Sequence, residues 1–341
     1  MRWDDVNARA RGLATHLLGR DALAALAAAP DWPAFLSHVA SLEYSLDLGA
    51  SPVVVDPPAF DRAVSRVAAD RFNLLGRWLG ARGAVLSVVM EDEERRTLRT
   101  MLRGAAQGAS PGARLHNAMP TPALPFRALE RLARATTVTD LARELLRVGH
   151  PAGRVLEHLG AQSPPPALLD LEWALVRLFS ERAVRAARKG GAVLQRFAAE
   201  LVDEENLWTL LLATPPADGR SVPQQYLPGG DLLTREMFDR LRAERDSEQL
   251  VAQLRALCAG TAIGAALAHD PVEWSCLEAR IAAARVAWLQ GLARRDPLGP
   301  AVVLSVLERI RAEARALRAI AWGVAFGAPP ATLAPMMPEA A

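Results

Sequence analysis

The chain has 341 residues, 51% of them apolar, and its 40 basic side chains nearly cancel its 38 acidic ones, leaving a formal charge of +2. That balance argues against a dedicated nucleic-acid binder, which carries a strong basic bias, while the apolar share is ample for a packed core without staples. Two cysteines, Cys258 and Cys276, are too few for a disulfide framework and read as small buried hydrophobes in a reduced compartment.

In chain order, the opening MRWDDVNARARGLATH has no apolar signal core, because Asp4, Asp5 and several arginines interrupt it. No later stretch approaches the roughly 18 uninterrupted apolar residues of a membrane span, so a soluble protein without a direct span is expected. Helix formers dominate and period-two runs are scarce, which predicts an all-α fold. Val53–Val55, ahead of Pro57 and Pro58, is an isolated apolar run expected to join two helices. Residues 104–122 are rich in Gly, Pro and small side chains and break the pattern. Helical spacing returns with Leu171, Leu175 and Leu178. A second break spans 213–230, followed by stripes through Met237, Leu241, Leu250, Leu254 and Leu257. From Ala328 a tail with prolines at 329, 330, 335 and 338 is expected to fray.

The breaks leave three helical blocks of similar length, each closing on an acid followed by a leucine. Aligning Leu98, Leu207 and Leu317 gives offsets of 109 and 110 residues. Without gaps, the acids Glu94, Asp203 and Glu313 then coincide, as do Met101, Leu210 and Ile320, and the small residues Gly104, Ala213 and Gly323. Val85, Leu194 and Leu304 align upstream, with Val88, Phe197 and Leu307. Leucines match by accident in such a chain, but equal offsets, acid, apolar face and terminator together are harder to dismiss. The period is far above the 20–50 residues of ordinary solenoids. It predicts a triplicated small helical domain: repeats at 1–112, 113–222 and 223–328, then a flexible tail, 329–341.

The segment 7–44 resembles the first helices of the C-type coupling subunits of V/A-type ATPases, the family that includes the d-type subunit of eukaryotic V-ATPases. The matching positions are Asn7, Ala8, Arg9, Arg11, Leu17, Leu18 and Tyr44. That family carries an acidic-x-x-Asn-Leu-x-x-Leu-Leu-Arg signature once per repeat. Glu94, Leu98, Met101, Leu102 and Arg103 match it, as do Asp203, Asn206, Leu207, Leu210 and Leu211, and Glu313, Leu317 and Ile320. The closing GAPPATLAPMM is also similar to the family's. Asn survives only as Asn206 and Arg only as Arg103, losses that put any polar role of the repeat ends in doubt and leave the packing role intact. The resemblance implies three similar helical bundles about a pseudo-threefold axis, forming a funnel or socket. It implies a non-catalytic subunit, monomeric in isolation and without cofactor, that joins the central stalk (D- and F-type subunits) to the membrane rotor ring. Its place would be the cytoplasmic face of the membrane. An all-α adaptor with another partner is the alternative reading.

The acid runs 91–94 and 203–205 are the most enzyme-like feature, since all-α terpenoid synthases hold Mg²⁺ and a diphosphate between carboxylate clusters. Consecutive acids point around a helix rather than converging. A solvated face with i,i+4 pairing, such as Glu91 with Arg95, or a repeat-end cap is expected instead. The six histidines show no metal-ligand spacing and no phosphate or nucleophile motif appears. No catalytic, metal or cofactor residue is assigned. Trp78, Trp173, Trp274 and Trp288 read as core packing. Trp208 and Trp322, in the signature helices, read either as core or as aromatic anchors gripping the stalk. The candidate signature or interface residues are therefore Glu94, Arg103, Asp203, Asn206, Trp208, Glu313 and Trp322.

Overall fold

The computed structural model describes residues 3–42, 56–116, 118–164, 166–212, 226–244, 246–269, 272, 274–334 and 337. Val53–Val55 and Tyr44 lie outside the described residues. Among those described there are 17 α-helices, one 3-10 turn and no strand. They are α1 Asp4–Ala14, α2 Arg20–Ala27, α3 Trp32–Ala40, α4 Pro57–Leu79, α5 Ala84–Gln107, α6 Pro111–Leu115, α7 Phe126–Arg134, α8 Val138–Arg147 and α9 Pro151–Gly160. There follow α10 Leu168–Ala187, α11 Ala192–Leu212, α12 Arg235–Ala243, α13 Ser247–Leu257, α14 Ala262–Leu267, α15 Trp274–Arg295, α16 Ala301–Ala325 and α17 Pro330–Leu333. Short helices followed by two long ones are met three times along the chain: α2–α5, α7–α11 and α12–α16. None of the described helices is long and apolar enough to cross a membrane.

Local chemistry sets the boundaries. Asp31 and Asp56 accept hydrogen bonds from the Ala34 and Ala59 amides at 2.8 and 2.7 Å, capping α3 and α4. Pro57 and Pro58 form the first turn of α4, where a missing N–H costs nothing. Thr137, Thr234 and Thr261 cap α8, α12 and α14 in the same way.

The chain forms two compact units, residues 1–86 with 261–341, and residues 87–260. In the first, α16 is the central post. Leu304, Leu307, Ile310, Ala314, Leu317 and Ile320 repeat every three or four residues and are at most 3% exposed. Around α16 pack α1, α2, α3, α4 and α15. Trp32, Phe35 and Phe60 stack and cross edge-on at 5.1–6.0 Å between centroids, joining α3 to α4. Of the tail, Leu333 on α17 is buried at 6% exposure, and α17 packs on α2 and α16.

In the second unit, Leu98, Met101 and Leu102 of α5 share a core with Leu129 and Leu132 of α7, Leu141 and Leu145 of α8, Leu156 of α9 and Leu175 and Phe179 of α10. Helices α8 and α9 meet closely at Gly153, where an added Cβ would sit 2.7 Å from the Leu146 backbone nitrogen. That neighbour is backbone and cannot swing away. Gly153→Ala is expected to force the two helices apart and to cost about 1–3 kcal/mol, measurable as a lowered midpoint in urea.

Candidate functional site

The three aligned acids occupy one kind of position. Each sits mid-way along a long helix, is at most 4% exposed, and receives a segment leading into the following set of short helices. Glu94 on α5 accepts from the Thr121 hydroxyl at 2.6 Å, five residues before α7. Asp203 on α11 accepts the backbone amides of Asp231, Leu232 and Leu233 at 2.8, 3.0 and 3.2 Å, just before α12. Glu313 on α16 accepts the Leu18 amide at 2.6 Å, two residues before α2, and pairs with Arg71 of α4.

Asn206 lies one turn beyond Asp203 on the same face. Its side-chain amide donates to the Leu227 carbonyl at 2.9 Å and accepts the Leu227 amide at 2.8 Å. The acid-x-x-Asn spacing thus pins two points of one incoming backbone. A polar role survives here, where the sequence leaves it in doubt. Thr97 and Ala316 stand at the equivalent positions and have no amide to offer.

Glu94 has a second partner, His150, whose Nε2 lies 3.2 Å from the carboxylate. The other ring nitrogen, Nδ1, accepts the Ala152 amide at 3.2 Å and caps α9. Because Nδ1 accepts, the proton of the neutral ring is on Nε2 and is donated to Glu94. Nothing local in the sequence marked this histidine.

The N-terminal Asn-Ala-Arg-x-Arg stretch is a strap. Asn7 Nδ2 donates to the Gly299 and Pro297 carbonyls at 3.0 and 3.3 Å, and Arg11 donates to Pro297 at 2.9 Å. These carbonyls lie between α15 and α16, so α1 is tied to the turn that starts the central post.

The acid runs are not a solvated face. Glu91, Asp92 and Glu204 are at most 8% exposed. Glu91 binds Arg182 on α10 with both oxygens at 2.6 Å, not Arg95 one turn on. Arg95 pairs with Asp92 at 2.7 Å and with Glu205 of α11 at 2.5 Å. Arg99 bridges Glu205 and Glu172, and Arg103 grips Glu172 through two bonds of 2.5 and 2.7 Å. Burial pushes the Glu91 and Asp203 carboxyls above the usual range, against the Arg182 bond in one case and three amides in the other. In the first unit, Glu308 is fully buried between Arg311 at 2.6 Å and Arg285 at 3.9 Å. Burial works to raise its pKa, yet the surrounding arginines hold it below the ordinary value. Among the described residues no group of three or more His, Cys, Asp and Glu is placed to hold a metal.

The core packing expected of the tryptophans is met in part: Trp173 packs against the core of Val176, Val202 and Leu227. Trp78, Trp173 and Trp288 are half-buried and Trp274 is 49% exposed. A large ring with an N–H donor settles at the edge of a core more readily than inside it. Trp208 is half-buried, its indole near Glu204 at 3.5 Å. Trp322 is half-buried and stacks on Phe326, itself 80% exposed. Arg103 is exposed over half its side chain.

Both cysteines are buried. Burial, with Asp203 adding to it, pushes the Cys258 thiol up to about 12. Since only the thiolate reacts, Cys258 is expected to resist maleimide in the native protein at pH 8 and to label at the rate of opening. Mass spectrometry of timed aliquots checks this.

No curated protein matches the chain. A family described as ATP synthase (C/AC39) subunit matches residues 6–334, nearly the whole length and all three signature helices. The chain belongs to that family, the non-catalytic subunits that couple the central stalk of a V/A-type rotary ATPase to its membrane rotor ring.

Proposed function

We propose that the chain receives the foot of the central stalk directly, with D- and F-type stalk subunits as its partners, and seats that stalk on the rotor ring at the cytoplasmic face of the membrane. The family match over residues 6–334 carries this reading. In the same proposal, the three sequence repeats are similar helical bundles about a pseudo-threefold axis that together form a socket. The recurring acid supports it, because a buried acid at offsets of 109 and 110, each time bonded to a segment ahead of short helices, is what triplication leaves behind. The seven signature residues then divide by exposure. Glu94, Asp203, Asn206 and Glu313 are buried and already bonded, so they hold the body together. Arg103, Trp208 and Trp322 reach solvent in part and are the proposed contacts to stalk or ring, Trp322 with Phe326 forming an aromatic anchor.

The test is size-exclusion chromatography with mass detection, using the purified chain and recombinant D- and F-type stalk proteins. A stable complex holding one copy of the chain is expected. Absence of any complex across salt conditions, with the chain folded, would point to an adaptor for another partner.

A further inference from the structure

His150 is the one buried histidine of the six, and it belongs to two hydrogen-bond systems at once. On one side its Nε2–H donates to Glu94 at 3.2 Å, and Glu94 also accepts from the Thr121 hydroxyl. On the other side Nδ1 accepts the Ala152 amide at 3.2 Å and caps α9. That acceptor is hard to replace. Pro151 brings no N–H to the first turn, and the Gly153 amide already bonds the His150 carbonyl at 3.0 Å. Ala152 is 0% exposed, so bulk water does not reach it. Nor can the turn shift freely, since Gly153 lies against the Leu145–Leu146 backbone of α8.

The charges around the ring do not balance. Glu91 and Glu94 come from α5, and Arg182 of α10 binds Glu91. The other buried charges of these two helices are paired elsewhere: Asp92 with Arg95, Arg95 with Glu205, and Glu172 with Arg103. No charged side chain of α7, α8 or α9 is buried, and residues 118–125 include none. With a neutral ring, the cluster therefore sets two carboxylates against one guanidinium. Burial outweighs the Arg182 bond, Glu94 adds its repulsion, and the Glu91 carboxyl is held above the ordinary range, as in a site short of positive charge.

We propose that His150 is a proton-operated latch on α9: on taking a second proton the ring tightens its bond to Glu94 and lets go of the start of the helix. An imidazolium has a donor on each nitrogen, so no orientation of the ring offers an acceptor to the Ala152 amide. Its charge also opposes the positive end of the helix dipole. Toward Glu94, the same proton supplies the positive charge that the cluster lacks and makes a charge-assisted bond. Imidazole is the side chain that ordinarily makes this change between pH 5 and 8. The consequence is local. On acidification the start of α9 loosens and, through the Gly153 contact, so does the end of α8, while Glu94 keeps its hold on Thr121. The unit of residues 87–260 thus has a stiffness that depends on pH, whichever partner the chain binds.

Two readings on the full chain test this. In nitrogen-15 spectra of histidine-labelled protein, the His150 ring is expected to hold its proton on Nε2 at pH 8 and to gain one on Nδ1 as the pH is lowered to 5. Hydrogen exchange with mass spectrometry then compares wild type with H150N, whose side-chain oxygen can cap a helix but takes no proton. At pH 8 the peptides covering 150–160 are expected to exchange within about twofold of each other in the two proteins. At pH 5 the wild type is expected to be about 5-fold faster there, the loss of one cap, with α12 unchanged between the two. E94Q is expected to move both the ring titration and the rise in α9 exchange to lower pH, because the carboxylate that favours the charged ring is gone. It carries the test if H150N does not fold. A His150 ring that keeps a single proton down to pH 5 overturns the latch, as does a proton on Nδ1 at pH 8. So does α9 exchange that follows the same pH course in wild type as in H150N or E94Q.

Discussion

Glu308→Ala is expected to destabilise the unit formed by residues 1–86 and 261–341 by about 3–5 kcal/mol, the usual cost of removing one partner from a buried ion pair. Glu308 is 0% exposed, with Arg285 at 2% and Arg311 at 3%, so the alanine variant removes a counter-charge shared by two guanidinium groups that are themselves out of water. Glu308→Gln is expected to cost less, because the amide oxygen still accepts from Arg311. The pH dependence follows from the depressed pKa. Its folded value lies below its unfolded one, so the stabilisation is present above the unfolded value and is lost as pH falls through the folded one. The stability gap between wild type and E308Q is therefore expected to narrow on acidification. Urea titrations at pH 7 and in the acid range measure both effects.

Asp203→Ala is expected to cost about 3 kcal/mol or more, since each backbone donor left without a partner costs about 1–3 kcal/mol and Asp203 satisfies three. The site cannot close up by shifting the incoming chain, because Leu227 is held independently by Asn206. Nor is there slack at Gly230, where a Cβ would lie 2.1 Å from the Asp203 carboxylate. Asp203→Asn retains one accepting oxygen and is expected to fall between. Loss should appear as early exchange of α12 amides in the unit 87–260, with a thermal shift of about 6 °C or more.

How much of this could be read beforehand depends on where each partner lies in the chain. The all-α fold follows from helix formers and three- to four-residue spacing, which are local properties. Glu94, Asp203 and Glu313 stand out because a helix repeated at offsets of 109 and 110 keeps its buried acid in register with its apolar face. What the acids bind is non-local. Glu91 reads as an i,i+4 partner of Arg95, yet Arg182, 91 residues on, takes it, and Arg95 turns to Glu205. Packing of α10 and α11 chooses these pairs, and no spacing rule on α5 alone encodes them. Glu308 looks like an ordinary surface Glu-x-x-Arg pair with Arg311, and only the depth of α16 shows otherwise. His150 is invisible to motif reading because its two bonds belong to a helix cap and to a residue 56 positions away.

The central claim is that the chain couples stalk to ring without chemistry of its own. The most direct measurement is ion pumping per ATP hydrolysed by the purified rotary complex in vesicles, with and without this protein. The complex lacking it is expected to pump little or nothing, and adding the purified chain is expected to restore pumping. Equal pumping per ATP in its absence would contradict the coupling role.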